Sequence, residues 1–219
     1  MTLEHILGFF FHGLAYFALS LSMFFLQYMT YLQYQSYRII MSRRLSWLGV
    51  FGLCEAVVAW DGLFSSMTAS GVFLPSFIRP AILGWGYAFL VVFSVQTFRP
   101  DAELPIHPQR LLIIMQFFWF VLYLLILNII PDINQAITSA ESLLRYTMAV
   151  PGGILAAFGL RSESYQTLKK KMRDRVRPYL RLVEGTMGVF GLLNLVLVPQ
   201  APFLPASIIN QTWLPFHSS

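Results

Sequence analysis

Charge is scarce in this chain, and that scarcity decides the class of protein before any motif is considered. Of 219 residues only 11% are Asp, Glu, Lys or Arg, whereas 57% are hydrophobic and the mean hydropathy is +0.63. A soluble domain of this length needs more charge to cover its surface, which excludes a water-soluble globular fold. Cysteine is nearly absent as well, and Cys54 alone rules out an intrachain disulfide and any zinc site built on cysteines. Phosphate-cradling glycine loops, Ser/His/Asp arrangements and the HExxH pattern are missing. No catalytic or metal-binding constellation is visible, so the chain reads as a non-enzyme. The formal charge of +5 does not point to nucleic acid, because the basic residues flank apolar runs and do not cover a polar domain.

What fills the chain is a succession of apolar runs. They predict an all-α, polytopic transmembrane helical bundle with six spans, at about 6–29, 47–66, 77–98, 111–130, 143–160 and 179–198, and a tail over 199–219. The first run contains no acid or base except His12, and nothing basic precedes it, so it lacks the start of a secretory signal peptide and reads as a retained helix. The third begins with Arg79-Pro80, and proline is tolerated in the first turn of a helix. The fourth, Leu111 to Ile130, has only Gln116 and Asn128 as polar side chains.

Orientation follows from the cations. Lys169, Lys170, Lys171, Arg173, Arg175 and Arg177 form a basic, lipid-facing loop between two spans, and such loops stay on the cytoplasmic side. Arg161 and Arg181 flank that loop, Arg38, Arg43 and Arg44 lie in another, and Arg99 and Arg110 bound a third. These account for 13 of the 15 Lys and Arg residues, leaving only Arg79 and Arg145 at the opposite face. The count places the N-terminus and the tail both outside.

Function must come from polar groups inside the spans, where an ionisable residue is costly and usually faces the bundle interior. His12 and Asp61 fall toward the outer ends of their spans, and Arg79 and Arg145 start theirs from that same side. Two readings of this cluster stay open: an outer-leaflet pocket that binds or senses a ligand, and an ion pair of Asp61 with an arginine that merely orders helix ends. Glu55, near mid-span, is expected to be neutral or bonded to another helix. Haem is the cofactor to test through His12, since His5, His107 and His217 lie outside useful depth. A partner ligand would have to be methionine or Cys54. Phe117, Phe118, Trp119 and Tyr123 could line a quinone or pigment, or simply pack.

Two patterns concern packing and bending. The pentapeptide Gly-Val-Phe-Gly-Leu occurs at Gly49–Leu53 and again at Gly188–Leu192, and Gly185 extends the second set; small residues of this kind let helices approach closely. Pro151 removes a backbone donor in mid-span and Gly152-Gly153 lower the resistance to bending, so these three residues form a hinge or a fixed kink.

Val150-Pro151-Gly152-Gly153-Ile154-Leu155-Ala156 and Val198-Pro199-Gln200-Ala201-Pro202-Phe203-Leu204-Pro205-Ala206-Ser207, together with Phe11-His12-Gly13-Leu14-Ala15-Tyr16-Phe17 and Phe51-Gly52-Leu53 followed by Trp60, resemble stretches of the multi-span N-terminal sensor region of certain bacterial histidine kinases and related signalling proteins. The resemblance covers most of the chain. It implies a sensor in a two-component system and adds Trp60 to His12, Glu55, Asp61, Arg79 and Arg145 as sensing candidates. Glu55 and Ala59 depart from it, standing where the family often has a histidine and an acid. The family also continues through one further span into a cytoplasmic transmitter, whereas this sequence stops at Ser219, so the chain is expected to be either a truncated sensor region or a stand-alone protein acting through a partner. Sensing is the leading expectation, followed by a non-catalytic subunit of a larger membrane complex holding haem, quinone or pigment, and then a small transporter. The expected partners are membrane lipid, a second copy or a larger complex, and a cytoplasmic signalling protein.

Overall fold

The computed structural model describes residues 3–33, 40–67, 74–75, 77–98, 107–166, 170–196 and 201, and none of these lies in a strand. Among them the chain forms α1 (Leu3–Gln33), α2 (Ile40–Met67), α3 (Ile78–Phe98), α4 (Pro108–Ile129), α5 (Ile133–Leu144), α6 (Val150–Gln166) and α7 (Lys170–Val196), with a π-helical turn, Arg145–Ala149, joining α5 to α6. The fold is all-helical, as the apolar runs predict. Among the described residues, five stretches are long and apolar enough to cross a membrane: 6–28, 44–65, 78–98, 108–129 and 133–161.

Where helices outrun the apolar runs, they do so at a charged or polar end. α2 starts at Ile40, which takes Arg43 and Arg44 out of the expected loop and into its first turns, where Arg44 is buried. α7 starts at Lys170, so Lys170, Lys171, Arg173, Arg175 and Arg177 are helical and do not form a loop; Lys169 lies outside the described residues. Lysine and arginine are good helix formers, and no glycine or proline interrupts the chain between Lys170 and Arg177. Hydropathy marks where hydrocarbon begins, not where a helix does. The tail over 199–219 is outside the described residues except for Ala201.

The chain divides into two compact units, Met1–Phe93 and Ser94–Ser219. In the first, α1 lies along α2. A Cβ on Gly52 would stand 2.9 Å from the Tyr16 carbonyl oxygen, and one on Gly62 would stand 3.0 Å from the Phe9 ring. Leu48, Phe51 and Ala56 of α2 are buried, as are Leu83, Tyr87 and Leu90 of α3. In the second unit α6 lies along α7, with a Cβ on Gly153 only 2.9 Å from the Gly191 Cα. Both copies of the pentapeptide therefore supply a glycine, Gly52 or Gly191, where two helix backbones nearly touch, the contact that small residues allow in membrane helices. α1 and α4 carry long rows of exposed apolar side chains, Phe11, Leu21 and Phe25 on one and Ile113, Phe117 and Ile129 on the other. Lipid is the natural cover for such rows.

Candidate functional site

A buried polar cluster lies on the continuous helical run from α5 into α6, and its position depends on where that run starts. Asp132 caps it, its side chain accepting the Asn134 N–H at 3.0 Å, in the manner of a good N-cap residue. The apolar run opens this span at Leu143, yet the helix begins at Ile133. Arg145 is therefore not in the first turn of its helix. It sits about 18 Å along the helix at the usual rise.

Arg145 bridges two helices. Its Nη2 donates to Glu141 Oε1 at 2.8 Å, and its Nη1 donates to Asn194 Oδ1 on α7 at 3.0 Å. Asn194 in turn donates from Nδ2 to the Phe190 carbonyl at 2.9 Å, so its amide is used at both ends. Glu141 and Asn194 are buried and Arg145 is largely so, its side chain 21% exposed. A cation and an anion four residues apart, with the acid on the N-terminal side, is the favourable order along a helix.

The π-helical turn that carries Arg145 has a cause in the sequence. Pro151 lacks an N–H, and in a regular α-helix its ring would press on the carbonyl of Thr147. Widening the preceding turn relieves that pressure, and the Val150 N–H accordingly bonds back to the Arg145 carbonyl, five residues earlier. Such single wide turns recur at functional sites. Thr147 keeps its own hydroxyl on the Leu143 carbonyl at 2.8 Å.

Beyond Pro151 the expected hinge is closely engaged. The Gly152 carbonyl accepts the Ser94 hydroxyl at 2.7 Å, and Gly153 meets Gly191 of α7 at backbone distance. Both glycines are buried. At Gly153 the missing side chain serves close approach to α7, and the irregularity in the helix falls one turn earlier, at the wide turn.

The remaining candidates belong to the first unit. His12 is exposed on α1 and packs edge-on against Tyr16, with ring centroids 4.9 Å apart. Trp60 on α2 lies against Gly13, where any Cβ would overlap its indole, and beside Phe17 at 5.3 Å. Asp61 is buried, and its Oδ1 accepts the Leu74 N–H at 2.9 Å, tying the end of α2 to the segment that leads into α3. Glu55 is buried on α2, and Arg79 is half-buried in the first turn of α3. The structure thus brings Trp60 to the residue after His12. It gives Asp61 a backbone amide as partner and Arg145 a carboxylate from its own helix. Of the aromatic residues on α4, Trp119 and Tyr123 are buried and stacked at 5.9 Å, while Phe117 and Phe118 are exposed. Among the described residues no group of three or more His, Cys, Asp or Glu is placed to hold a metal ion.

Glu141 and Asn194 are the members of the cluster that sequence reasoning missed. Glu141 was discoverable from its spacing to Arg145 and from the Pro131-Asp132 start signal, which together pull the helix start upstream. Asn194 carries no comparable mark beyond being polar in an apolar run. No family model, curated protein or solved structure matches the chain.

Proposed function

We propose that this protein is a membrane-embedded sensor or signalling module of the bacterial inner membrane, with six spans, α7 providing the sixth, and both ends outside. It is not an enzyme. It detects a ligand or a membrane state and passes the change to a cytoplasmic signalling partner, as a homo-oligomer or within a larger complex.

The observation that carries the reading is the Glu141–Arg145–Asn194 network built on the π-helical turn. A charged side chain at span depth costs about 2.5–3.5 kcal/mol on insertion scales, and well-packed apolar residues often stabilise a fold as well as a buried ion pair does. A purely static bundle gains little from such a pair, whereas an element with two arrangements can use it to hold one of them. Here Arg145, paired with Glu141 on its own helix, also bonds Asn194 of α7 at the irregular turn, so a change in that turn moves α7 against α6.

The test is a distance measurement. Spin labels at Phe158 on α6 and Leu192 on α7, both exposed, are placed in nanodiscs of thin and thick bilayers, in acidic and in neutral buffer. Sensing predicts that the distance distribution shifts with at least one condition, and that Glu141→Gln with Arg145→Gln abolishes the shift. A distribution that never moves would make the protein a passive subunit of a membrane complex.

A further inference from the structure

Beyond sensing, the geometry points to a binding site for an anionic phospholipid where α6 ends beside α7: the phosphate held by Arg161 and Arg181 at the end of a cationic row, an acyl chain lying over Gly185.

Register supplies the first argument. Lys170, Arg173, Arg177, Arg181 and Glu184 recur at spacings of three and four, which places them on one face of α7. Met172, Val176, Tyr179 and Val183 recur in the same way on another face, so these turns are amphipathic. The end of that cationic row is located by contact: Glu184 Oε1 stands 3.9 Å from Arg161 Nη1 on α6. Arg161 therefore joins the row from the neighbouring helix. At that separation the pair is a charge contact and not a hydrogen bond, and the Arg161 side chain is 62% exposed. Its donors stay open to a second anion. Counting Asp174 beside the row, cations still outnumber acids.

Depth supplies the second. α7 has 27 residues, about 40 Å at helical rise, against about 30 Å of hydrocarbon. With the stretch from Leu182 to Val196 in the hydrocarbon, Lys170–Arg177 stand at headgroup level and Arg181 at its edge. The third argument is open space on the membrane side of the cations. Gly185, one turn past Arg181, is exposed, and a Cβ placed on it would meet no described atom within 4 Å. Phe158 lies one turn before Arg161 and is exposed too. A phosphate seat beside the exposed Phe158 and the open space over Gly185 fits a diacyl phospholipid better than free phosphate.

Native mass spectrometry of the purified full chain, titrated with dioleoyl phosphatidylglycerol or dioleoyl phosphatidylcholine, tests the site. The wild type is expected to retain the anionic lipid preferentially. Arg161→Gln with Arg181→Gln should reduce that preference roughly thirtyfold, and Glu184→Gln, which removes the competing carboxylate, should raise it. Gly185→Leu should lower it with every charge in place. If the double arginine variant does not fold, the Glu184 and Gly185 variants decide alone. An unchanged preference in Gly185→Leu, or a preference lost only when Lys169, Lys170 and Lys171 are neutralised, would overturn the site in favour of diffuse attraction. Equal competition by inorganic phosphate would overturn the lipid as its ligand.

Discussion

Arg145 shows how strongly one residue's meaning depends on its surroundings. At the rim of a span it would snorkel to the headgroups and matter little; well inside a helical run, with Glu141 at 2.8 Å and Asn194 at 3.0 Å, it is a largely buried cation whose removal strands an acid. Arg145→Ala is expected to destabilise the protein by about 3–5 kcal/mol, the range for breaking a buried pair from one side. Glu141→Ala should do the same, and the double variant should recover part of the loss through a coupling of about 1–3 kcal/mol. Reversible unfolding in lipid measures the cycle, and strictly additive losses would show that the pair is a coincidence of packing. Asp61 makes the contrast. It is buried as well, but its partner is a backbone amide, so Asp61→Asn keeps a side-chain oxygen for Leu74 and should cost about 1 kcal/mol or less.

At the scale of the element, what was legible in the sequence was the existence of each helix, and what was not legible was its ends. Apolar runs locate α1, α3 and α4 to within a few residues, because in those helices hydrophobic length and helical length nearly coincide. They fail for α2, α5 and α7, whose ends are charged or polar: Arg43 and Arg44, the serine- and threonine-bearing turns after Ile133, and the lysines after 169. Pro151 was readable as an irregularity, but the sequence could not say that relief would take the form of a wide turn upstream or that Gly152 and Gly153 would be packed against neighbours. Two glycine substitutions separate packing from flexibility. Gly153→Ala drives a Cβ to 2.9 Å from Gly191 backbone atoms, where only a backbone shift can make room, so it should cost about 1–3 kcal/mol. Gly185→Ala, with open space around it, should gain up to about 1 kcal/mol from helix propensity. Equal effects at the two positions, read from the same unfolding measurement, would mean that the α6–α7 contact is looser than its geometry.

For the whole molecule, the sharpest question is whether α7 crosses the membrane. Its cationic turns and its apolar turns demand different environments, and a single helix can satisfy both by standing upright, with Lys170–Arg181 at the level of the headgroups and Leu182–Val196 in hydrocarbon. Exposed Leu182, Val189, Leu192 and Val196 are then solvated by lipid, and Asn194 reaches Arg145 at span depth, where an unpaired guanidinium is costly. If α7 lay in the interface, its apolar stripe alone would be buried, and Asn194 would have to leave Arg145 or pull it toward water. Single cysteines at Thr68, Ser164 and Ser207, in a background without Cys54, distinguish these arrangements through a membrane-impermeant thiol reagent applied to intact cells and to inverted vesicles. The six-span arrangement predicts that Thr68 and Ser207 label from outside and Ser164 from inside. Labelling of Ser164 and Ser207 from the same side would remove the sixth span and move the tail to the cytoplasm.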